Sequence, residues 1–333
     1  MERELISKKK VFSWKKFLLQ WEWMLFIIFI LINVLNTALS DNYLNFAGIM
    51  RASMNFLDQA FIVFSMAFVI MLGDIDISVA SIVALSSVTM AVLFNAGVPM
   101  AVAMVICVVL ATICGFINGW LLIKFKEISA VIVTLATMIF YRGIAYMILE
   151  DQASGGFPTW FSYLAWGKVG PIPFILIMFA VCAVIFTLLL HKTRFGRRLY
   201  AMGNNAIASR FSGVQVDRIK VTVFTLNGLM SGICALFLAS KMMSTRPNVA
   251  SGYELDVIAM AVLGGVSTAG GKGRMIGVVI AVFIIGLLRY GLGLINASSQ
   301  VIMIIIGLLL IVAVSIPSVQ EMVSISRARK LSS

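Results

Sequence analysis

Residues able to do chemistry are few in this chain, and their spacing narrows what that chemistry could be. Two carboxylates stand two residues apart in Gly73-Asp74-Ile75-Asp76-Ile77-Ser78-Val79-Ala80-Ser81, with an apolar run on either side. Charged groups at bilayer depth cost about 2.5–3.5 kcal/mol each, so such acids must face protein, water or free backbone donors. Asp76 followed by Ser78 fits a cap on the helix that follows, where free N–H groups and the helix dipole stabilise an acid. Asp74, Asp76 and Ser78 are thus expected to cap a helix break. A proton, cation or substrate site is the sharper alternative. The second candidate is residues 263–277, LGGVSTAGGKGRMIG. A phosphate loop needs four residues between its first Gly and the Gly-Lys pair, then Ser or Thr. Counting back from Gly271-Lys272 reaches Val266, and Gly273 follows the lysine. The spacing fails, and a tight glycine turn before a membrane span is the expected structure.

Other reactive groups offer less. His191 is the only histidine, and Cys107, Cys114, Cys182 and Cys234 all lie in apolar runs without metal-ligand spacing. They read as small buried hydrophobes. Neither an enzyme nor a cofactor or metal site is expected.

The elements that must position these residues are membrane helices. The 333 residues are 61% hydrophobic and 12% charged, and the mean hydropathy is +1.03. A soluble domain of this composition would have a largely apolar surface. The fold class expected is an all-α integral membrane protein. About ten spans are read, at residues 21–39, 51–72, 77–95, 99–123, 129–149, 171–190, 219–240, 254–268, 275–293 and 299–317, with broken or short helices near 73–78 and 254–273. The organisation is a basic N-terminus (1–20), one transmembrane domain (21–317) and a tail (318–333). Residues 10–19 can lie along the membrane as a basic amphipathic helix.

Charge sets the orientation. With both termini cytoplasmic, 20 of the 26 lysines and arginines fall on the cytoplasmic side, as the excess of basic residues in cytoplasmic loops requires. The net charge of +12 is spread over short loops, which explains it without nucleic acid. Trp160, Tyr163 and Trp166 in the outer loop 150–170 suit the headgroup layer. That loop and a second, 241–253, are where a ligand-delivering receptor would land.

One loop is unlike the rest. Residues 191–218 carry Lys192, Arg194, Arg197, Arg198, Arg210 and Arg218. The stretch 198–213 is expected to form a short helix with small residues on its surface, namely Ala201, Gly203, Ala206 and Ala208. Such a helix presented to the cytosol suits docking by a separate motor subunit. Polar residues in otherwise apolar spans, Asn55, Asp58, Asn118, Thr134, Thr137 and Asn227, are candidates to line a translocation path. Each can equally serve as hydrogen-bonding glue between helices.

Several motifs carry a family likeness. Residues 73–81 match a Gly-Gly-Ile-Asp-Leu-Ser-Val-Gly-Ser element, with Asp74 and Ala80 as departures. Gly115-Phe116-Ile117-Asn118-Gly119, Val133-Thr134-Leu135-Ala136-Thr137-Met138, the series Thr193, Phe195, Gly196, Arg197, Gly203, Asn204, Asn205, Ala208 and Gly213, and the glycine-rich run 262–273 follow. Over residues 45–315 the chain resembles the permease subunits of bacterial sugar ABC importers, within the branched-chain amino acid/monosaccharide permease superfamily. The resemblance implies a ten-helix permease in the bacterial inner membrane. It implies pairing with a second permease, two ATPase subunits inside and an extracytoplasmic sugar-binding protein outside. Arg197, Gly203, Asn204, Ala208 and Gly213 would form the ATPase-coupling loop. Gly156-Phe157-Pro158 and Arg246-Pro247-Asn248 are most like permeases for rhamnose or autoinducer-2, with ribose or xylose possible. An ion-coupled secondary sugar carrier, with Asp74 and Asp76 binding the ion, is the alternative.

Overall fold

A chain this apolar can satisfy its backbone in lipid only by forming helices or a closed barrel. In the computed structural model, which describes residues 21–309 and 311, the choice is helices. In chain order they are α1 (Trp21–Leu39), α2 (Phe46–Met71), α3 (Val79–Asn95), α4 (Met100–Lys124), α5 (Ala130–Leu149), α6 (Tyr163–Trp166), α7 (Phe174–Lys192), α8 (Arg194–Asn204), α9 (Ala206–Phe211), α10 (Val216–Met242), α11 (Tyr253–Leu263) and α12 (Met275–Leu294). A thirteenth, α13, covers Ser299–Leu309. The basic N-terminus with its amphipathic stretch, the end of the last expected span and the tail 318–333 lie outside the described residues.

By length and composition, 7 helices among the described residues can cross a membrane: α1, α2, α4, α5, α7, α10 and α12. The other three expected spans are shorter. α3 has 17 residues, α11 has 11, and α13 is described only as far as Leu309. The two short helices nearest the candidate motifs share their passage with irregular backbone, 72–78 before α3 and 264–274 after α11. α2 also starts five residues ahead of the expected span, because Asn45 caps it, accepting from Ala47 N at 3.0 Å and Gly48 N at 3.4 Å.

α2 is the central post. Beyond Gln59 it is apolar except for Ser65, and a helix apolar all round belongs inside a bundle; 94% of its membrane window is buried, against 17% for α1 and 22% for α7. Phenylalanines pack along it, with ring centroids 5.1 Å apart for Phe64 and Phe179, 5.3 Å for Phe68 and Phe186, and 5.7 Å for Phe68 and Phe195. α4 and α10 meet through small residues, Gly115 against Gly228, with Gly119 against Val221 and Gly232 against Ala111 on either side. A Cβ on Gly228 would lie 2.8 Å from the Gly115 Cα. This is the small-residue contact that lets membrane helices approach closely.

The connections gather at two ends. At one, the basic end, lie the α4–α5 turn, α8, α9, the 72–78 break and the 264–274 loop; Lys126 pairs with Asp217 at 3.1 Å and Arg274 with Glu22 at 2.8 Å. At the opposite end two loops are sewn together. Ser154 and Gly155 (β1) pair antiparallel with Thr245 and Ser244 (β4), and a small hairpin joins Lys168–Val169 (β2) to Ile172–Pro173 (β3). Trp160, Tyr163 and Trp166 are exposed there.

Candidate functional site

The break after α2 turns back into the bundle. Asp74 meets Lys220 of α10, with Nζ 2.9 Å from Oδ2. Asp76 meets Asn227, whose Nδ2 donates to Oδ2 at 2.9 Å. Seven residues along one helix are about 10 Å, so the extended backbone runs two turns deeper between the two contacts. α3 therefore starts inside the bundle, and 17 residues suffice for it to reach the opposite end.

The expected caps are divided by this geometry. Asp76 accepts from Ser78 N at 3.0 Å, as a carboxylate before a helix start should. The Ser78 hydroxyl makes no cap bond to the helix; it donates to Asp76 Oδ1 at 2.6 Å. Asp74 pairs with Lys220 instead.

Asp76 anchors a polar network across five segments. Ser65 of α2 donates to Asn227 Oδ1 at 2.7 Å, which turns the amide NH2 of Asn227 toward Asp76. Asn118 of α4 donates to Ser78 Oγ at 2.7 Å, and Tyr141 of α5 donates to Asn118 Oδ1 at 3.2 Å. Thr134 accepts from Ile77 N at 3.2 Å and donates to Ala130 O at 2.8 Å. Thr137 donates to Thr134 O at 3.2 Å. Networks satisfied this fully rigidify a core.

Four of the six path candidates, Asn118, Thr134, Thr137 and Asn227, belong to this network and are buried. Asp58 lies elsewhere. It is also buried, and its Oδ2 receives Lys241 Nζ at 2.7 Å and Tyr253 OH at 2.9 Å. Its Oδ1 has no partner. Asn55 is exposed and lines a groove between α2 and α12.

The basic end supplies the other half of the site. The expected single helix over 198–213 is two, α8 and α9, because Asn205 breaks the run and caps α9 by accepting from Ala208 N at 2.9 Å. Gly203 does not lie on the outward surface. A Cβ there would strike Met71 O and Gly271 N. Gly271 N donates to Met71 O at 2.9 Å; Asn204 Nδ2 donates to Tyr200 O at 2.8 Å and to Gly271 O at 3.4 Å. Tyr200 donates to Gly273 O at 2.6 Å. Burial lifts its phenol above the ordinary value, keeping the hydroxyl a donor. The end of α2, the α8 C-terminus and the glycine loop are thus tied in one backbone knot. Gly270 and Gly271, with φ of 83° and 69°, shape the turn expected there.

What faces outward is apolar. Ile207 is 72% and Phe211 is 89% exposed, one turn apart on α9. Arg197, Ala208 and Gly213 are exposed as well. The pair was legible as two large apolar residues four apart in an otherwise polar loop, but small-residue reasoning passed over it. Ser65, Tyr141, Lys220 and Lys241 were also missed, because their partners lie far off in sequence. Among the described residues no group of three or more His, Cys, Asp or Glu could hold a metal ion.

The opposite end is clamped by side chains. Arg142 Nη1 donates to Pro247 O at 2.6 Å and Val249 O at 2.8 Å. Ser87 and Thr245 hydroxyls are 2.7 Å apart, and Trp166 donates to Lys241 O at 3.1 Å.

Comparison with known proteins places the sequence among membrane transport permeases. The chain is 39% identical over 295 residues to the ribose import permease protein RbsC of Bacillus subtilis, covering 87% of this chain and 89% of that one. It is 39% identical over 249 residues to the L-arabinose transport system permease protein AraH of Escherichia coli, covering 75% and 76%. It is 32% identical over 301 residues to the autoinducer 2 import system permease protein LsrD of E. coli, covering 88% and 91%. No solved structure matches significantly. Residues 48–314 match the family described as branched-chain amino acid transport system / permease component. The chain belongs to that family, as a multi-pass membrane permease.

Proposed function

We propose that this chain is the permease subunit of an ATP-binding-cassette importer that carries a monosaccharide across the bacterial inner membrane. The observation that carries the reading is α9: two exposed apolar side chains, Ile207 and Phe211, on a helix tied through Gly203 to the end of α2. An ATPase subunit would seat on this pair. Its nucleotide cycle would move α8 and α9, and the knot would pass that motion to α2 and the 72–78 break. Arg197, Asn204, Ala208 and Gly213 complete the coupling loop. Packed elements of this kind move as rigid bodies.

In this reading the protein has ten spans and cytoplasmic termini. It pairs with a second permease copy or a similar chain, in contact with membrane lipid. A sugar-binding protein delivers cargo to the sewn loops 150–170 and 241–253. Parting of the helices around Asn118, Thr134, Thr137 and Asn227 would hydrate a polar path, with Asn55 and Asp58 nearer the opposite end. The binding protein supplies the affinity, so the path need not hold sugar tightly. The cargo class rests on the ribose, arabinose and autoinducer-2 permeases named above. The segments 156–158 and 246–248 favour autoinducer-2 or rhamnose, with ribose or xylose next.

Two variants test the reading. Ile207→Ala with Phe211→Ala should abolish co-purification of the ATPase and lower uptake tenfold or more, given that buried aromatic anchors carry about 2 kcal/mol or more each. Gly203→Ala with Asn204→Ala should leave ATPase binding but stop uptake. Competition among the candidate sugars then identifies the cargo. Uptake that persists without any ATPase and collapses with an ionophore would replace this reading with an ion-coupled carrier.

A further inference from the structure

The basic end also holds a cavity beside the backbone knot, and the transport reading assigns it no ligand. It is an open cleft of about 420 Å³ between the start of α1, the end of α7, α8 and the 264–274 loop, and Trp21, Glu22, His191, Tyr200, Lys272 and Arg274 line it. Its charge is lopsided. Lys272 is exposed and belongs to none of the ion pairs among the described residues. Arg274 and Lys192 lie within electrostatic reach of His191. Against them stands Glu22, 2.8 Å from Arg274 Nη1. A guanidinium has five N–H donors, so one carboxylate contact leaves Arg274 able to bind a second oxyanion.

The surroundings say which oxyanion. The cavity opens where α1, α7 and α12 end, and α1 and α7 are the least buried of the candidate spans. Apolar surface begins within about one turn of the cations: Phe26 and Ile27 on α1, Leu188 on α7 and Ile276 on α12 are all exposed. The Trp21 indole, donating to Leu263 O at 3.1 Å, is fixed at the boundary between the two zones. A soluble anion would use the cations and leave the apolar neighbours idle. A phospholipid uses both, with its phosphate among the cations and its chains along the helices. Basic pockets between span ends are known to take anionic headgroups.

We propose that this cavity is a headgroup site for an anionic phospholipid, with Lys272 and Arg274 holding the phosphate. The proposal needs the membrane setting that the family provides, and it stands apart from the ATPase-docking reading.

The test exposes the purified full chain to mixed micelles of phosphatidylglycerol and phosphatidylcholine and reads retained lipid by native mass spectrometry. Two basic groups near an anionic surface, at about fivefold each, predict about 25-fold preference for phosphatidylglycerol. Lys272→Gln with Arg274→Gln should bring the preference near unity. Lys124→Gln with Arg218→Gln, a charge-matched change outside the cavity, should keep it. Equal retention of both lipids by the unaltered chain would overturn the proposal, and that arm needs no variant to fold. So would equal loss in the two double variants. Displacement of phosphatidylglycerol by millimolar inorganic phosphate would make it a soluble-anion site instead.

Discussion

Asp76 and Asp58 are both buried carboxylates in one apolar bundle, and the molecule satisfies them in opposite ways. Asp76 is met only by neutral donors: Ser78 N, Ser78 Oγ and Asn227 Nδ2. None of the ion pairs among the described residues includes it. Asp58 is met by a cation, Lys241, and by Tyr253, both on one oxygen, while its other oxygen has no partner. The first arrangement locks a break in the chain to helices α2, α4, α5 and α10. The second clips α2 to the ends of α10 and α11 through one long, partly exposed side chain. An acid held by short neutral groups on several helices fixes those helices. An acid held on one oxygen by a lysine and a tyrosine ties the helix ends together at a single charged point.

The sharpest way to break this contrast is to remove Asp58. A buried pair that loses one member leaves an uncompensated charge, which costs about 3–5 kcal/mol. Asp58→Ala should destabilise by that amount in denaturant unfolding from micelles. Adding Lys241→Met should recover more than half of the loss, since an apolar replacement of both partners is often neutral. A single-variant loss below about 1 kcal/mol would mean that Lys241 already reaches water, and the two acids would no longer differ in kind.

Removing Asp76 should cost a comparable amount by another route. Asp76→Ala strands three donors but no charge, and each unmet buried hydrogen-bonding group costs about 1–3 kcal/mol. Its partners act as a unit, so Asp76→Ala with Asn227→Ala should cost less than the sum of the singles, by about 0.5–3 kcal/mol of coupling. Simple additivity in the same unfolding assay would show that the network is a set of separate bonds.

Much of this was legible in the sequence, and the remainder was hidden for physical reasons. Apolar runs gave the helices, since lipid leaves the backbone few other solutions. Gly73 to Ser78 gave the break, because two acids cannot sit idle beside hydrocarbon. The direction of the break was not legible. Whether Asp74 caps a helix or reaches Lys220 depends on α10, 146 positions away in the chain. Gly203 misled in the same manner. Its lack of a side chain suits an outward docking surface and an inward backbone contact equally, and only Met71 and Gly271 decide between them. Asn118 and Asn227 stood out as polar residues in apolar runs, yet nothing local paired either with Asp76 or Ser78.

A third carboxylate sets the small end of the scale. Asp217, in the first turn of α10, takes Lys126 at 3.1 Å and Arg210 at 2.6 Å, with all three side chains about half exposed. Water and salt already screen such pairs, and each is worth about 0–1 kcal/mol. Asp217→Ala should therefore leave unfolding within about 1 kcal/mol of the unaltered protein, and high salt should erase even that difference. Its effect belongs on another axis. Arg210 lies on α9, one residue from Phe211, and Lys126 lies on the α4–α5 turn, so Asp217 fixes α9, the proposed docking helix, to the bundle. Freed of that anchor, α9 should transmit less of the ATPase motion, and uptake should fall a few-fold while the melting curve stays put. A parallel loss of stability would class Asp217 with Asp58 as a structural acid. Unchanged uptake would show that Gly203 and Asn204 hold the docking helix without help.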